Sequence, residues 1–368
     1  MQKSRASWMR QGKFGVMVHW CVPKTPPQYG KRIENIDKAA DQFDLGRFIK
    51  DFRRTKADWL IFTIGQGTGY ASPNGVMDRL AGPGHCTRRD LILEVAKEVK
   101  KLGRRFIAYL PTVSRRKNFA FGPVRLSERE FQRQFTAAIE EYARRFGSYL
   151  DGWWFDGGST DPELRDSLAG KLRAARAGNP DAIVTFNDGS ICLGLSLPVV
   201  PGQDYLSGES EFLLKGKIRY GRGTDVLTPL PKGASSRRSA LGRGVMDCVG
   251  HVQTLPLPQP PPTCLWHALL PIDCMWETGI PFNEDWQNPA FPWVAPKPHK
   301  MERPLYTLAD LETVVRDFKS VGGGVTFNVG IFQEGGLGPD TVDRLAKLAG
   351  RVAHLENRSD ASLGARRD

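Results

Sequence analysis

Eight short runs in this 368-residue chain are almost continuously apolar, and helical patterns separate several of them. They are Gly15–Trp20, Trp59–Ile64, Arg105–Leu110, Gly152–Phe155, Ala182–Phe186, Tyr205–Leu206, Cys274–Trp276 and Val325–Val329. A run without polar alternation is what a strand covered on both faces requires. Between the runs, Leu91, Ile92, Val95, Val99 and Leu102 fall on one helical face, and Gly103 is placed to end that helix. Ser127 and Glu130 form a capping box ahead of Phe131, Phe135, Ile139 and Tyr142. Further helices are predicted over Phe43–Lys56, Glu163–Ala177, Leu308–Ser320 and Pro339–Leu355. Strands alternating with helices imply βαβ units and a parallel sheet. Eight of them predict an α/β protein, a (β/α)8-like TIM barrel that is irregular around its last strands. From Ser210 to Pro271 the chain is rich in Gly and Pro and includes the tract LPLPQPPP. That stretch reads as a long loop at the barrel mouth, since proline cannot donate to a regular ladder. The expected organisation is one catalytic domain over 1–356 and a disordered tail over 357–368.

Composition excludes several classes. Apolar residues make up 40% and charged residues 25%, ordinary values for a soluble globular protein. No apolar run reaches the ~18 residues of a membrane span, so no membrane association is expected. The N-terminal MQKSRASWMRQGKFG lacks an apolar core like that of a signal peptide. The chain as given is therefore expected in the cytoplasm, or in a secreted or periplasmic location if a leader has been removed. Six scattered cysteines contain no CxxC, which argues against zinc and against a disulfide framework. Free buried thiols are expected instead. Net charge is +12, with basic runs at Arg115-Arg116-Lys117, 215–222 and Arg237-Arg238. Such an excess suits either a solvated surface or a polyanionic partner such as a sulfated or uronic glycan. Without helix-turn-helix, RNP or zinc-finger patterns, nucleic acid is not the expected partner. Nothing in the sequence sets an oligomeric state.

In a parallel barrel the chemistry gathers at the carboxyl ends of the strands. The run Gly152-Trp153-Trp154-Phe155-Asp156-Gly157-Gly158 delivers a carboxylate there. Asp156 either caps a turn or faces a cavity, because an unpaired charge inside the core is too costly. The other ends bring His19-Trp20, Gln66 to Tyr70, Asn187-Asp188, Asp204 to Glu209, Trp276-Glu277 and Asn328. Indole rings stack on the apolar face of a pyranose, while amides, imidazoles and carboxylates bind its hydroxyls. A carboxylate pair can then run glycosidic cleavage.

These motifs resemble the α-L-fucosidases of glycoside hydrolase family 29. The opening Lys13-Phe14-Gly15-Val16-Met17-Val18-His19-Trp20 is similar to that family's first strand, and Trp153-Trp154-Phe155-Asp156-Gly157 to its nucleophile motif. Phe186-Asn187-Asp188, followed by Asp204-Tyr205-Leu206-Ser207-Gly208-Glu209, resembles the segment ending in the acid/base glutamate. Trp276-Glu277 and Gly323 to Gly330 look like the closing motifs. The resemblance runs in order over residues 8–355. It implies a retaining exo-glycosidase without cofactor, acting on a terminal sugar. Asp156 would be the nucleophile and Glu209 the acid/base, with Asp204, Glu211 and Glu277 as rivals for the second role. His19, Trp20, Gln66, Tyr70, Trp154, Asn187 and Trp276 would line the substrate pocket.

The departures from the family fall in the sugar pocket. A His-His-Asp-Gly-Phe pattern expected after the second strand is replaced by Gln66-Gly67-Thr68-Gly69-Tyr70. An expected Asn-Asp-Arg becomes Asn187-Asp188-Gly189, and a tyrosine expected after the third strand aligns with Leu110. The aromatic loop after Trp20 is replaced by Cys21 to Pro27. Each lost hydroxyl partner is worth about 0.5–1.5 kcal/mol. A specificity changed from fucose is therefore expected, with Thr68, Tyr70, Ser72 and Asn74 as replacement groups. Two alternatives accompany this reading: a glycosidase for a sulfated or acidic glycan, and a non-catalytic carbohydrate-binding protein on the same fold.

Overall fold

The computed structural model describes residues 4–66, 69–112, 126–156, 162–187, 198–209, 264–273 and 299–353, apart from 302, 305 and 321. Seven parallel strands form one curled sheet: β1 Gly15–Val18, β2 Trp59–Thr63, β3 Arg105–Pro111, β4 Gly152–Asp156, β5 Ile183–Phe186, β6 His267–Pro271 and β7 Gly324–Val329. Their order is β5-β4-β3-β2-β1-β7-β6, with helices between most successive strands. This is an irregular (β/α)8-like architecture.

Strand parity sorts the side chains into two layers. Val16, Val18, Leu60, Phe62, Phe106, Ala108, Leu110, Trp153, Phe155, Val184 and Phe186 belong to the large core between the sheet and its helices. Met17, Trp59, Ile61, Ile107, Tyr109, Trp154, Ile183 and Leu269 form a separate inner cluster with Ala6 and Met9. The short helix Ser7–Gln11 thus closes the amino-terminal end of the barrel, with Trp8 edge-on to Trp59 at 5.9 Å.

Helices lie close to where periodicity places them. Asp90, Ser127 and Asp44 cap Leu91–Lys101, Glu128–Phe146 and Leu45–Thr55 through their side chains. Gly103 takes φ +69° just beyond the first of these, as a helix terminator should. At the capping box Ser127 accepts from the Glu130 amide at 3.2 Å, while the Glu130 carboxylate turns to Arg133. Helices Leu308–Ser320 and Pro339–Val352 also form as expected.

The second half of the sheet differs from expectation. Residues 267–271, expected inside a long loop, form β6 against β7. Pro271 ends that strand, and the Pro-rich tract before it obscures the signal in sequence. The run expected at 274–276 and the tracts at 215–222 and 237–238 lie outside the described residues, as does the tail. Tyr205–Leu206 is not a regular strand. Instead 204–209 stitches the two sheet edges together. The Asp204 amide donates to Val184 of β5 at 2.9 Å, and the Leu269 amide of β6 donates to Gly208 at 2.8 Å. Tyr205 and Glu209 make parallel bridges to Leu265 and Leu269.

Candidate active site

The inner parity of the strands brings a compact polar group to their carboxyl ends. Asp156, the last residue of β4, is half-buried, and its two oxygens are separately held. Tyr109 of β3 donates its hydroxyl proton to Asp156 Oδ2 at 2.6 Å. Asn187, directly after β5, donates from Nδ2 to Asp156 Oδ1 at 3.0 Å. The same Nδ2 donates to Glu209 Oε2. Backbone bonds fix both bases of this arrangement: Thr112 N to Asp156 O at 2.7 Å and Asn187 N to Phe155 O at 2.8 Å.

One amide nitrogen therefore serves two carboxylates. Their nearest oxygens stand no more than two hydrogen bonds apart. That bound admits the ~5–5.5 Å of a retaining carboxylate pair. Because ionised carboxylates only accept, the Asn187 amide must present its nitrogen to them.

Aromatic rings wall one side. Tyr109 stacks on Trp154 at 5.3 Å and 17°, and His19 sits edge-on to Tyr109 at 4.8 Å. His19, one residue beyond β1, bonds through Nδ1 to Asn328 Oδ1 of β7 at 2.9 Å. Burial lowers its pKa to about 4, against the opposing pull of the Asn328 bond and of Asp156, with Lys24 adding to the lowering. The ring is thus neutral near pH 7. Trp154 is 2% exposed, and its indole N–H is buried with no partner. Most buried donors in folded proteins are satisfied, so this one stands out.

The structure brings Asp156, Glu209, Asn187, His19 and Trp154 together, and it places Trp20, Tyr70, Ser72 and Asn74 elsewhere. Trp20 follows His19 and so has the opposite parity; it packs edge-on to Phe43 in the outer core and donates to Gln333 O at 3.0 Å. Tyr70 is buried in that same outer core, where burial raises its pKa. Gln66 is half-buried, and its Oε1 lies 3.7 Å from Cys21 Sγ. Ser72 donates to Asp90 at 2.6 Å, and Asn74 caps the helix Gly75–Ala81. Asp204 is buried in a different role, paired with Arg176 at 2.6 Å and accepting from the Val184 amide at 2.8 Å. Burial raises its pKa although Arg176 and these bonds lower it. Trp276, Glu277, Glu211, Thr68, Asp188, Gly189 and Arg115 to Lys117 lie outside the described residues. Tyr109 is the principal addition; strand parity distinguishes it from the adjacent Leu110, whose side chain belongs to the outer core.

Among the described residues no group of three or more His, Cys, Asp or Glu could hold a metal ion. None of their helices is long and apolar enough to cross a membrane.

The fold is similar to that of the glycoside hydrolase family 29 barrels. No protein-family profile matches the sequence, and no curated protein matches it. Solved structures do. A GH29 α-L-fucosidase from Bacteroides thetaiotaomicron is similar, with TM-score 0.57 and 13% identity over 96% of this chain and 74% of that one. The α-L-fucosidase AlfC from Lactobacillus casei, solved with α-L-fucose product, has TM-score 0.55 and 13% identity over 95% of this chain and 98% of its own. The endo-fucoidan hydrolase MfFcnA4 of glycoside hydrolase family 107 has TM-score 0.59 and 14% identity over 96% of this chain. The chain spans about half, 54%, of the length of MfFcnA4.

Proposed function

We propose that this chain is a retaining glycoside hydrolase acting on a fucose-related or similar sugar unit of a glycan, with Asp156 as nucleophile and Glu209 as acid/base. One observation carries the reading: Asp156 and Glu209 share the Asn187 amide, which bounds their separation to a range that a retaining pair can occupy. The likeness to α-L-fucosidases and endo-fucoidan hydrolases supports the class of substrate.

In this mechanism the Asp156 carboxylate attacks the anomeric carbon while Glu209 protonates the departing glycosidic oxygen. Water, deprotonated by Glu209, then hydrolyses the glycosyl-Asp156 ester and restores both groups. Tyr109 and Asn187 hold the nucleophile in line, which converts lost orientational freedom into rate. Trp154 offers a stacking face and its unpartnered N–H to the sugar. Neutral His19 offers an imidazole edge beside the same wall. Reading Gln66 as the replacement for a histidine pair predicts a pocket that no longer favours fucose itself.

A second reading concerns substituents. Lys24 is close enough to His19 to lower its pKa, so a cation stands near the candidate pocket in a chain of net charge +12. An anionic substituent on the glycan would meet it, and turnover would then weaken as salt screens the attraction. The test of the main reading is hydrolysis of a panel of aryl glycosides by the wild type and by Asp156→Gly. Turnover abolished by the substitution is expected. Turnover of no glycoside, with glycan binding retained, would favour a binding protein instead.

A further inference from the structure

We infer that His267 is a positioning residue that holds the Ser207–Glu209 turn against β6 and thereby sets the aim of the Glu209 carboxylate. This rests on the reading of Glu209 as the acid/base. His267 opens β6 on the inner face of the barrel and is 2% exposed. Its Nδ1 lies 3.0 Å from Ser207 O, and its Nε2 lies 2.8 Å from Thr326 Oγ1. A carbonyl can only accept, so Nδ1 carries the proton and Nε2 accepts from the Thr326 hydroxyl. That hydroxyl in turn accepts from Trp59 Nε1 at 2.8 Å, and an indole N–H can only donate. The relay has one direction, from β2 through β7 and β6 to the turn that carries Glu209.

The backbone of His267 holds the same turn. Gly208 has φ +64°, and a Cβ there would lie 1.7 Å from His267 O. The chain at Gly208 is therefore pressed directly on the His267 carbonyl. One residue pair further on, the Leu269 amide donates to Gly208 O at 2.8 Å, opposite Glu209 in the bridge. Burial lowers the His267 pKa to about 4, although the bonds to Ser207 and Leu206 raise it, so the relay keeps its direction near neutral pH. None of these groups is in the reacting pair; they act on Glu209 through the turn.

The experiment compares His267→Phe, His267→Asn and Thr326→Val with the wild type on aryl glycosides carrying good and poor leaving groups. In kcat/KM, which reports the glycosylation step, a mis-aimed acid matters only where the leaving group needs a proton. His267→Phe should lose roughly ten- to hundredfold in kcat/KM on the poor leaving group and little in kcat/KM on the activated one. His267→Asn, which keeps an N–H near the Nδ1 position, should recover most of that loss. Hydrogen exchange at Leu269 gives a readout independent of turnover, and its protection should fall in His267→Phe. Equal losses of kcat/KM on both leaving groups, or wild-type protection at Leu269, would overturn the inference. If His267→Phe does not fold, Thr326→Val decides by the same two readouts. If the wild type hydrolyses nothing, the proposed function fails, and the exchange result alone decides the role of His267.

Discussion

Tyr109 donates a 2.6 Å hydrogen bond to Asp156, across neighbouring strands whose register pairs Tyr109 with Trp154 and Pro111 with Asp156. The aromatic wall and the partner of the proposed nucleophile are thus one side chain.

Removing that hydroxyl tests the coupling. A hydrogen bond to a charged group is worth about 1.5–3 kcal/mol. Tyr109→Phe should therefore lower kcat/KM roughly ten- to a hundredfold. The ring and its stacking on Trp154 remain, so the melting temperature should fall only by the few degrees that the lost bond itself accounts for. Steady-state kinetics beside calorimetry separate the two effects.

Asn187 stands between two acids, and the substitutions there have a predicted order. Asn187→Ala removes both N–H bonds and should reduce kcat strongly. Asn187→Asp sets a third carboxylate against Asp156 and Glu209, and like charges oppose one another. That variant should be the less stable at pH 7, and it should regain stability relative to Asn187→Ala as the pH falls. Melting temperatures of both variants from pH 4 to 8 check the sign.

Burial holds His19 and His267 to pKa values of about 4, below the 6.5 of a free imidazole. Between those values the unfolded chain binds protons that the folded chain refuses. Their contribution is complete above about pH 6.5 and is lost as the pH falls toward 4, on the order of 3 kcal/mol for each ring. The melting temperature should accordingly rise with pH through this window. In His267→Asn the slope should be visibly shallower than in the wild type.

Two glycines in left-handed backbone should respond differently to alanine. Gly103, at φ +69°, has open space where a Cβ would go, so Gly103→Ala should lose only the backbone preference, about 1–2 kcal/mol. Gly208, at φ +64°, would drive its Cβ into the backbone of His267. Gly208→Ala should destabilise by more than Gly103→Ala and also lose activity, because the turn carrying Glu209 must move. Denaturant unfolding and kinetics on the pair give the comparison.

Much of the sheet was legible in the sequence because strands covered on both faces read as apolar runs. Trp59–Thr63 and Gly324–Val329 show this directly. The strand His267–Pro271 was obscured by the proline tract before it and the proline that ends it. Asp156 was legible as a carboxylate ending such a run. Trp20 and Tyr70 share its polar-aromatic character, yet their packing places them in the outer core. Tyr109 and Leu110 are separated by one residue, and one residue is the whole difference between the inside of the barrel and the helix layer. The meeting of Asp156 with Glu209 depends on the irregular turn at Gly208, whose conformation is set by His267 and leaves no periodic trace.

The most direct measurement is the anomeric configuration of the first product, followed by proton NMR during hydrolysis of a glycoside the enzyme turns over. Two carboxylates sharing the Asn187 amide predict a product with the configuration of its substrate. An inverted first product would contradict the assignment of Asp156 as nucleophile.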